Sequence, residues 1–154
     1  MKRNIVRGLT AVLALLFITG CGVKKADIEP GALADALKDG IAYKDELAPI
    51  DKELAGRFYS FGDADIEEAY FYESSGATAE EVAVVKCASD DGAKTVEEAF
   101  NRRIEEQKES FKDYVPAELD KLNSAVVMRK GKCVILSVSD EPDKAGKIIN
   151  SAAK

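Results

Sequence analysis

The stretch AVVMRKGKCVILSVSD, residues 125–140, decides the fold class, because it predicts two neighbouring antiparallel strands. Gly131 falls in the turn between them. Val134, Leu136 and Val138 then alternate along one face of the second strand. This segment therefore indicates a β-hairpin.

A second hairpin is predicted upstream of the first. Residues 66–73 alternate with the period of a strand, and residues 81–88 form a β-branched run of strand length. The small residues between them, with a glycine among them, make the turn. Strands that arrive as hairpins favour a mainly antiparallel sheet, here of about four strands.

Helical spacing of apolar residues predicts five helices around these strands. The longest has a capping-box pattern at Thr95 and Glu98, and its apolar stripe includes one polar residue, Gln107. With the sheet, the helices predict an α+β fold, a two-layer sandwich with helices packed on one face. The predicted helices run from Pro30 to about Lys38, from Leu47 to near Gly62, from Thr95 to Tyr114, from Pro116 through Leu122, and from Pro142 to Ala152.

The N-terminus has the layout of a secretory signal, with three basic residues followed by the uncharged, largely apolar run Gly8–Ile18. At 11 residues this run is too short for a membrane span, which takes about 20 residues. The residues Ile18, Thr19, Gly20 and Cys21 resemble the lipobox of bacterial lipoproteins, in which the cysteine thiol receives a diacylglyceryl group. A soluble secreted protein and an uncut membrane anchor are the alternatives.

The lipobox divides the chain into three predicted parts. These are a lipoprotein signal peptide over residues 1–20, a lipidated cysteine with a short tether over residues 21–29, and one α+β domain over residues 30–154. Acyl groups on Cys21, palmitate among them, would anchor the protein to the outer face of the cell membrane, since each buried CH₂ contributes about 0.8 kcal/mol. The tether holds the domain within about 30 Å of the lipid surface.

Composition narrows the classes of function. After residue 20 the chain has 19 basic and 28 acidic residues, a formal charge of −9, which disfavours nucleic acid as a partner. The sequence contains no histidine, which excludes Ser-His-Asp and Cys-His catalysis and any imidazole metal site. We therefore predict a protein that is not an enzyme and has no cofactor and no metal.

Three stretches carry a resemblance to a known family. They are ELAPIDKELAGRFYSFGDADIEEAYFYESSGATAEEVAVVKC, VEEAFNRRIEEQKESFKDYVPAELDKLNSAVV and KGKCVILSV, which together cover roughly residues 45–140. With these stretches the chain resembles the bacterial lipoproteins that share the domain of unknown function DUF4358. The resemblance implies an exported, membrane-anchored domain. It implies no activity and no site residue.

Two residue pairs are candidates for a functional role. Arg103 and Gln107 lie one turn apart on the long helix. Gln107 is either a buried amide bonded to the backbone of a neighbouring loop, with the arginine passing over it, or the two form a polar pair that lines a groove for a peptide or glycan. Cys87 and Cys133 lie in two predicted strands of an exported protein, where a disulfide is permitted. Two buried free thiols are the alternative.

Two further patterns carry weaker signals. Asp63 and Asp65 open a stretch that looks like a calcium loop, but Glu68 stands where the required glycine would be, so a solvated connection is the better interpretation. Tyr70 and Tyr72 alternate with a phenylalanine along the first long strand. Their side chains serve either core packing or an exposed ligand platform.

These observations lead to three hypotheses about function. The first is a non-catalytic, membrane-anchored envelope module that binds a protein, a peptide or a wall component. The second is an envelope enzyme that uses paired carboxylates on cell-wall glycan, with two acidic groups about 5 to 9.5 Å apart in a cleft. The third is a small ligand-binding lipoprotein of a transporter.

Overall fold

The computed structural model describes residues 27–153, so the predicted signal peptide, the lipobox and Cys21 lie outside the described residues. The helices are α1 Pro30–Gly40, α2 Lys52–Tyr59, α3 Asp90–Phe111, α4 Leu119–Asn123 and α5 Pro142–Ala152, with a 3-10 turn at Pro116–Glu118. The strands are β1 Ala48–Ile50, β2 Ile66–Glu73, β3 Glu81–Cys87, β4 Val126–Lys130 and β5 Cys133–Val138. No helix in this region has both the length and the apolar character needed to cross a membrane.

The strands form one open sheet in the order β1-β2-β3-β5-β4, and every neighbouring pair is antiparallel. The α+β class and both predicted hairpins are therefore confirmed. The sheet has five strands where about four were predicted. Gly131 turns the second hairpin with a φ of +60°, which a residue without a Cβ adopts at little cost.

The extra strand is β1, which the sequence placed in a helix. Leu47, Ile50, Leu54 and Phe58 have helical spacing, but only the last two lie in α2. Asp51 begins that helix, because its carboxylate accepts a hydrogen bond from the Leu54 amide at 2.8 Å. The residues before the cap are extended and pair with β2 at the edge of the sheet.

Helices cover both faces of the sheet, so the prediction that they pack on one face was wrong. Ala83 and Val85 face a core shared with α2, α3 and α4. Val82 and Val84 face a second core shared with α1 and α5. The continuous apolar run of β3 is the physical reason, because a strand that alternates with polar residues has one solvated face and this one has none.

The long helix α3 starts five residues before the predicted cap at Thr95. Ser89 is the N-cap, and its hydroxyl accepts a hydrogen bond from the Gly92 amide at 3.0 Å. Thr95 lies inside the helix and donates its hydroxyl to the Asp91 carbonyl. The helix packs its apolar stripe on β3, β4 and β5, which directs its C-terminal half toward the turn between β2 and β3.

Candidate functional site

Two glutamates meet where β2 ends and β3 begins. Glu73 is the last residue of β2 and Glu81 the first of β3, and the two are directly paired across the strands. Residues on one face of paired strands have side chains a few ångströms apart. Glu81 is completely buried, and the Glu73 side chain is 13% exposed.

An arginine and a tyrosine hold this carboxyl pair. Arg103 of α3 donates from Nε and Nη2 to Oε2 of Glu81 at 3.1 and 3.0 Å, and from Nη2 to Oε2 of Glu73 at 3.4 Å. The hydroxyl of Tyr59, the last residue of α2, donates to Glu73 at 2.5 Å. The cluster therefore ties both helices to the end of the sheet.

The electrostatics of the pair favour a proton on Glu73. Burial, followed by the negative charge of Glu81, raises the pKa of Glu73 from its usual 4.5 to about 8. A protonated Glu73 can donate a hydrogen bond to Glu81, whose buried Oε1 otherwise has no partner in the described part of the chain. Burial alone would lower the pKa of Arg103, but the charges of Glu81 and Glu73 raise it.

An open cleft of about 500 Å³ lies over this cluster. Its lining combines apolar side chains from β1, α2, the end of α3 and the turn that follows it with polar ones from α3, the end of β2 and the β2–β3 turn. The apolar members are Ile50, Leu54, Phe58, Phe111 and Tyr114, and the others are Glu73, Ser74, Ser75, Gly76, Thr78, Arg103, Gln107 and Ser110.

The cleft gathers exposed apolar surface. Within residues 27–153 four large apolar or aromatic side chains are exposed, and three of them line this cleft: Leu54 and Phe58 at 38% and Tyr114 at 74%. Apolar surface that is grouped in a concavity and edged by polar groups is typical of binding sites. The fourth, Tyr70, lies outside the cleft.

The polar groups at the base of the cleft are held in place, but some of them have no hydrogen-bond partner among the described residues. The guanidinium carbon of Arg103 lies 5.3 Å from the ring centroid of Phe58 and 5.5 Å from that of Tyr59, which fixes its plane. Within residues 27–153, Arg103 Nη1 and the Gln107 amide have no hydrogen-bond partner and are not among the buried unpaired atoms. Both are therefore open to a ligand.

The family model of the domain of unknown function DUF4358 matches residues 41–139, which include every residue of the cleft. The chain belongs to this family. No curated protein and no solved structure matches the chain. The helices α1 and α5 of this DUF4358 protein lie outside the matched residues.

The structure brings together some of the residues that the sequence singled out. Arg103 and Gln107 both line the cleft of the DUF4358 domain. Gln107 is half-buried, and the predicted alternative of an amide bonded to a neighbouring loop is not seen. Tyr72 donates its hydroxyl to Asp35 at 2.5 Å, so it links the sheet to α1 instead of forming a ligand platform.

Cys87 and Cys133 are free thiols, so the structure does not contain the disulfide that the sequence left open. Cys87 packs in the core under α3, whereas Cys133 packs in the core under α1 and α5. They therefore point to opposite faces of the sheet, although their strands are neighbours. Burial raises the pKa of each thiol to about 11.

The sequence did not predict the carboxyl pair of Glu73 and Glu81, and it also did not predict a second ionic cluster in the domain. Lys121 is 1% exposed and donates to Glu80 at 3.0 Å and to Glu118 at 2.9 Å. Burial opposes ionisation of Glu80, but hydrogen bonds from the Lys44 and Asp45 amides and from Lys121 lower its pKa. This cluster joins three segments of the chain, and none of its charged residues lines the cleft, so we interpret it as structural.

Two other observations bear on ligands. A cavity of about 590 Å³ near Asp27 is lined by three lysines, each of which already has a partner: Lys86 with Asp27, Lys130 with Asn150 and Lys132 with the Ala88 carbonyl. Among residues 27–153, no group of three acidic or thiol side chains is arranged to hold a metal ion.

Proposed function

We propose that this DUF4358 protein is a non-catalytic binding module and that the cleft over Arg103 is its binding site. The observation that carries the proposal is the grouping of Leu54, Phe58 and Tyr114, exposed, around a guanidinium fixed by buried carboxylates. Leaving such apolar surface in water costs about 25 cal/mol per Å², which a bound ligand would recover.

The proposal includes a location. The lipobox-like stretch ending at Cys21 supports a lipid anchor, and the short segment before α1 supports a domain held close to the outer face of the membrane. The partner is then a component of the cell envelope.

Binding is favoured over catalysis by the state of the acidic pair. Glycosidases that use two carboxylates keep them about 5 to 9.5 Å apart. Here Glu73 and Glu81 are directly paired across the strands, Arg103 donates hydrogen bonds to both carboxyl groups, and Tyr59 donates to Glu73. One guanidinium bonds both carboxyl groups and Glu81 is completely buried, so the two acids are not placed to flank a substrate, and we do not extend the proposal to glycan hydrolysis.

The proposal can be tested by site-specific photo-crosslinking in bacteria that express the full-length protein. A photoreactive amino acid replaces Tyr114 in the cleft, and a matched variant carries it at Tyr70, which is exposed outside the cleft. We expect reproducible adducts from position 114 that position 70 does not give. Equal or absent adducts at both positions would contradict the proposal.

A further inference from the structure

We propose that the ligand of the cleft is an uncharged glycan. This inference rests on the proposed binding function and adds the chemical class of the ligand. It follows from the charge at the base of the cleft, from the mixture of its lining side chains and from the strand at its edge.

The base of the cleft has no net positive charge to offer. Among the described residues that line it, only Glu73 and Arg103 are ionisable acids or bases, and Glu81 lies directly beneath. The charge of Arg103 is already compensated by Glu81, so an anionic ligand gains no net attraction. A cationic ligand gains no attraction from this neutral pair either, and an ion of either sign would lose hydration without meeting a free counter-charge. An uncharged ligand avoids the cost of removing a charge from water.

The lining suits a molecule that is polar at its edges and apolar on its faces. Seven of the thirteen lining residues carry hydroxyl, amide, carboxyl or guanidinium groups besides the phenol of Tyr114. Sugar rings place C–H faces on aromatic rings such as Phe58 and Tyr114, while their hydroxyls accept from Arg103 Nη1 and exchange hydrogen bonds with Gln107.

The same features disfavour a peptide. An extended peptide binds at a sheet edge through a ladder of backbone hydrogen bonds. The edge strand here, β1, has three residues with Pro49 at its centre, which lacks the amide donor that such a ladder needs. An amphipathic helix needs a continuous apolar groove, and here seven polar side chains interrupt the apolar part of the lining.

The test is isothermal titration of the full-length protein in detergent micelles with defined tetrasaccharides. The neutral probes are tetramers of N-acetylglucosamine, of glucose and of mannose, and the charged probes are tetramers of glucosamine and of galacturonate. We expect at least one neutral tetramer to bind with a Kd below about 1 mM, and the charged tetramers to bind at least about tenfold more weakly.

Variants locate the binding. Tyr114→Ala should raise the Kd of the neutral tetramer at least about tenfold, and the matched change Tyr70→Ala should leave it within about twofold. The inference is overturned if no neutral tetramer binds, if a charged one binds more tightly, or if both variants weaken binding equally. If the adducts from position 114 contain only protein, the inference of a glycan ligand is wrong, while the proposed binding function stands.

Discussion

Replacing Glu73 by glutamine tests the protonation of the buried pair. Glutamine has nearly the same shape as a protonated glutamate and can still accept the hydrogen bond from Tyr59. The pKa of Glu73 is about 8 in the folded protein against a usual 4.5. Each unit of pKa corresponds to about 1.4 kcal/mol, so the full shift is about 5 kcal/mol, and slight exposure reduces the expected effect to about 3 to 5 kcal/mol.

The sign follows from proton binding. Between pH 4.5 and about 8 the folded state holds a proton on Glu73 that the unfolded state has lost. The stabilisation is complete below pH 4.5 and is lost as the pH rises through about 8, so the free energy of unfolding of the wild type falls across this window. The glutamine variant does not lose this stabilisation, because its side chain has no proton to release. It should therefore be more stable than the wild type near pH 8.

The assay is urea unfolding followed by circular dichroism at a series of pH values. Glu98→Gln is the matched control, since Glu98 is an exposed residue of α3. The chain has no histidine, so no other side chain has an ordinary pKa inside the window. Wild type and Glu98→Gln should show the same slope, and Glu73→Gln a flatter one. Three parallel curves would refute a protonated Glu73.

Three further results are expected. Lys121→Met leaves two buried carboxylates without a counter-charge and should lower the free energy of unfolding by about 3 to 5 kcal/mol. In the same urea assay, Lys94→Met at an exposed position should change this free energy by less than about 0.5 kcal/mol. Similar effects of the two substitutions would count against the buried cluster. Cys87 and Cys133 should resist a thiol reagent at neutral pH until the protein is unfolded, and non-reducing mass spectrometry should find no bridge between them. Full-length protein should pellet with membranes and carry acyl mass, whereas Cys21→Ser should do neither; a soluble wild type would remove the anchor.

The sequence predicted the elements whose signals are local. The turn at Gly131 and the proline starts of three helices all appear in the structure. The strand β1 could not be predicted, because the helical spacing of Leu47 and Ile50 with the residues of α2 outweighed Pro49. Which faces of the sheet the helices cover depends on packing between distant segments, and spacing along one element does not report it.

Only part of the candidate site could be predicted from the sequence, because some of its contacts join distant segments. Arg103 and Gln107 share a helix, so their proximity follows from a spacing of four. Glu73 and Glu81 flank a predicted turn, and their pairing was therefore available from the hairpin, although nothing local shows that they are buried. The contacts of Tyr59 and Arg103 with these glutamates join residues that are far apart in the chain, and only the folded arrangement shows them.

The measurement that tests the cleft most directly is an NMR titration of the full-length protein in micelles with a soluble digest of cell-wall peptidoglycan, which contains both glycan and peptide. If the cleft is the binding site, the amide shifts should concentrate in the turn of residues 74–78 and in the C-terminal half of α3. Shifts that concentrate instead on α1 and α5, across the sheet, would contradict the account.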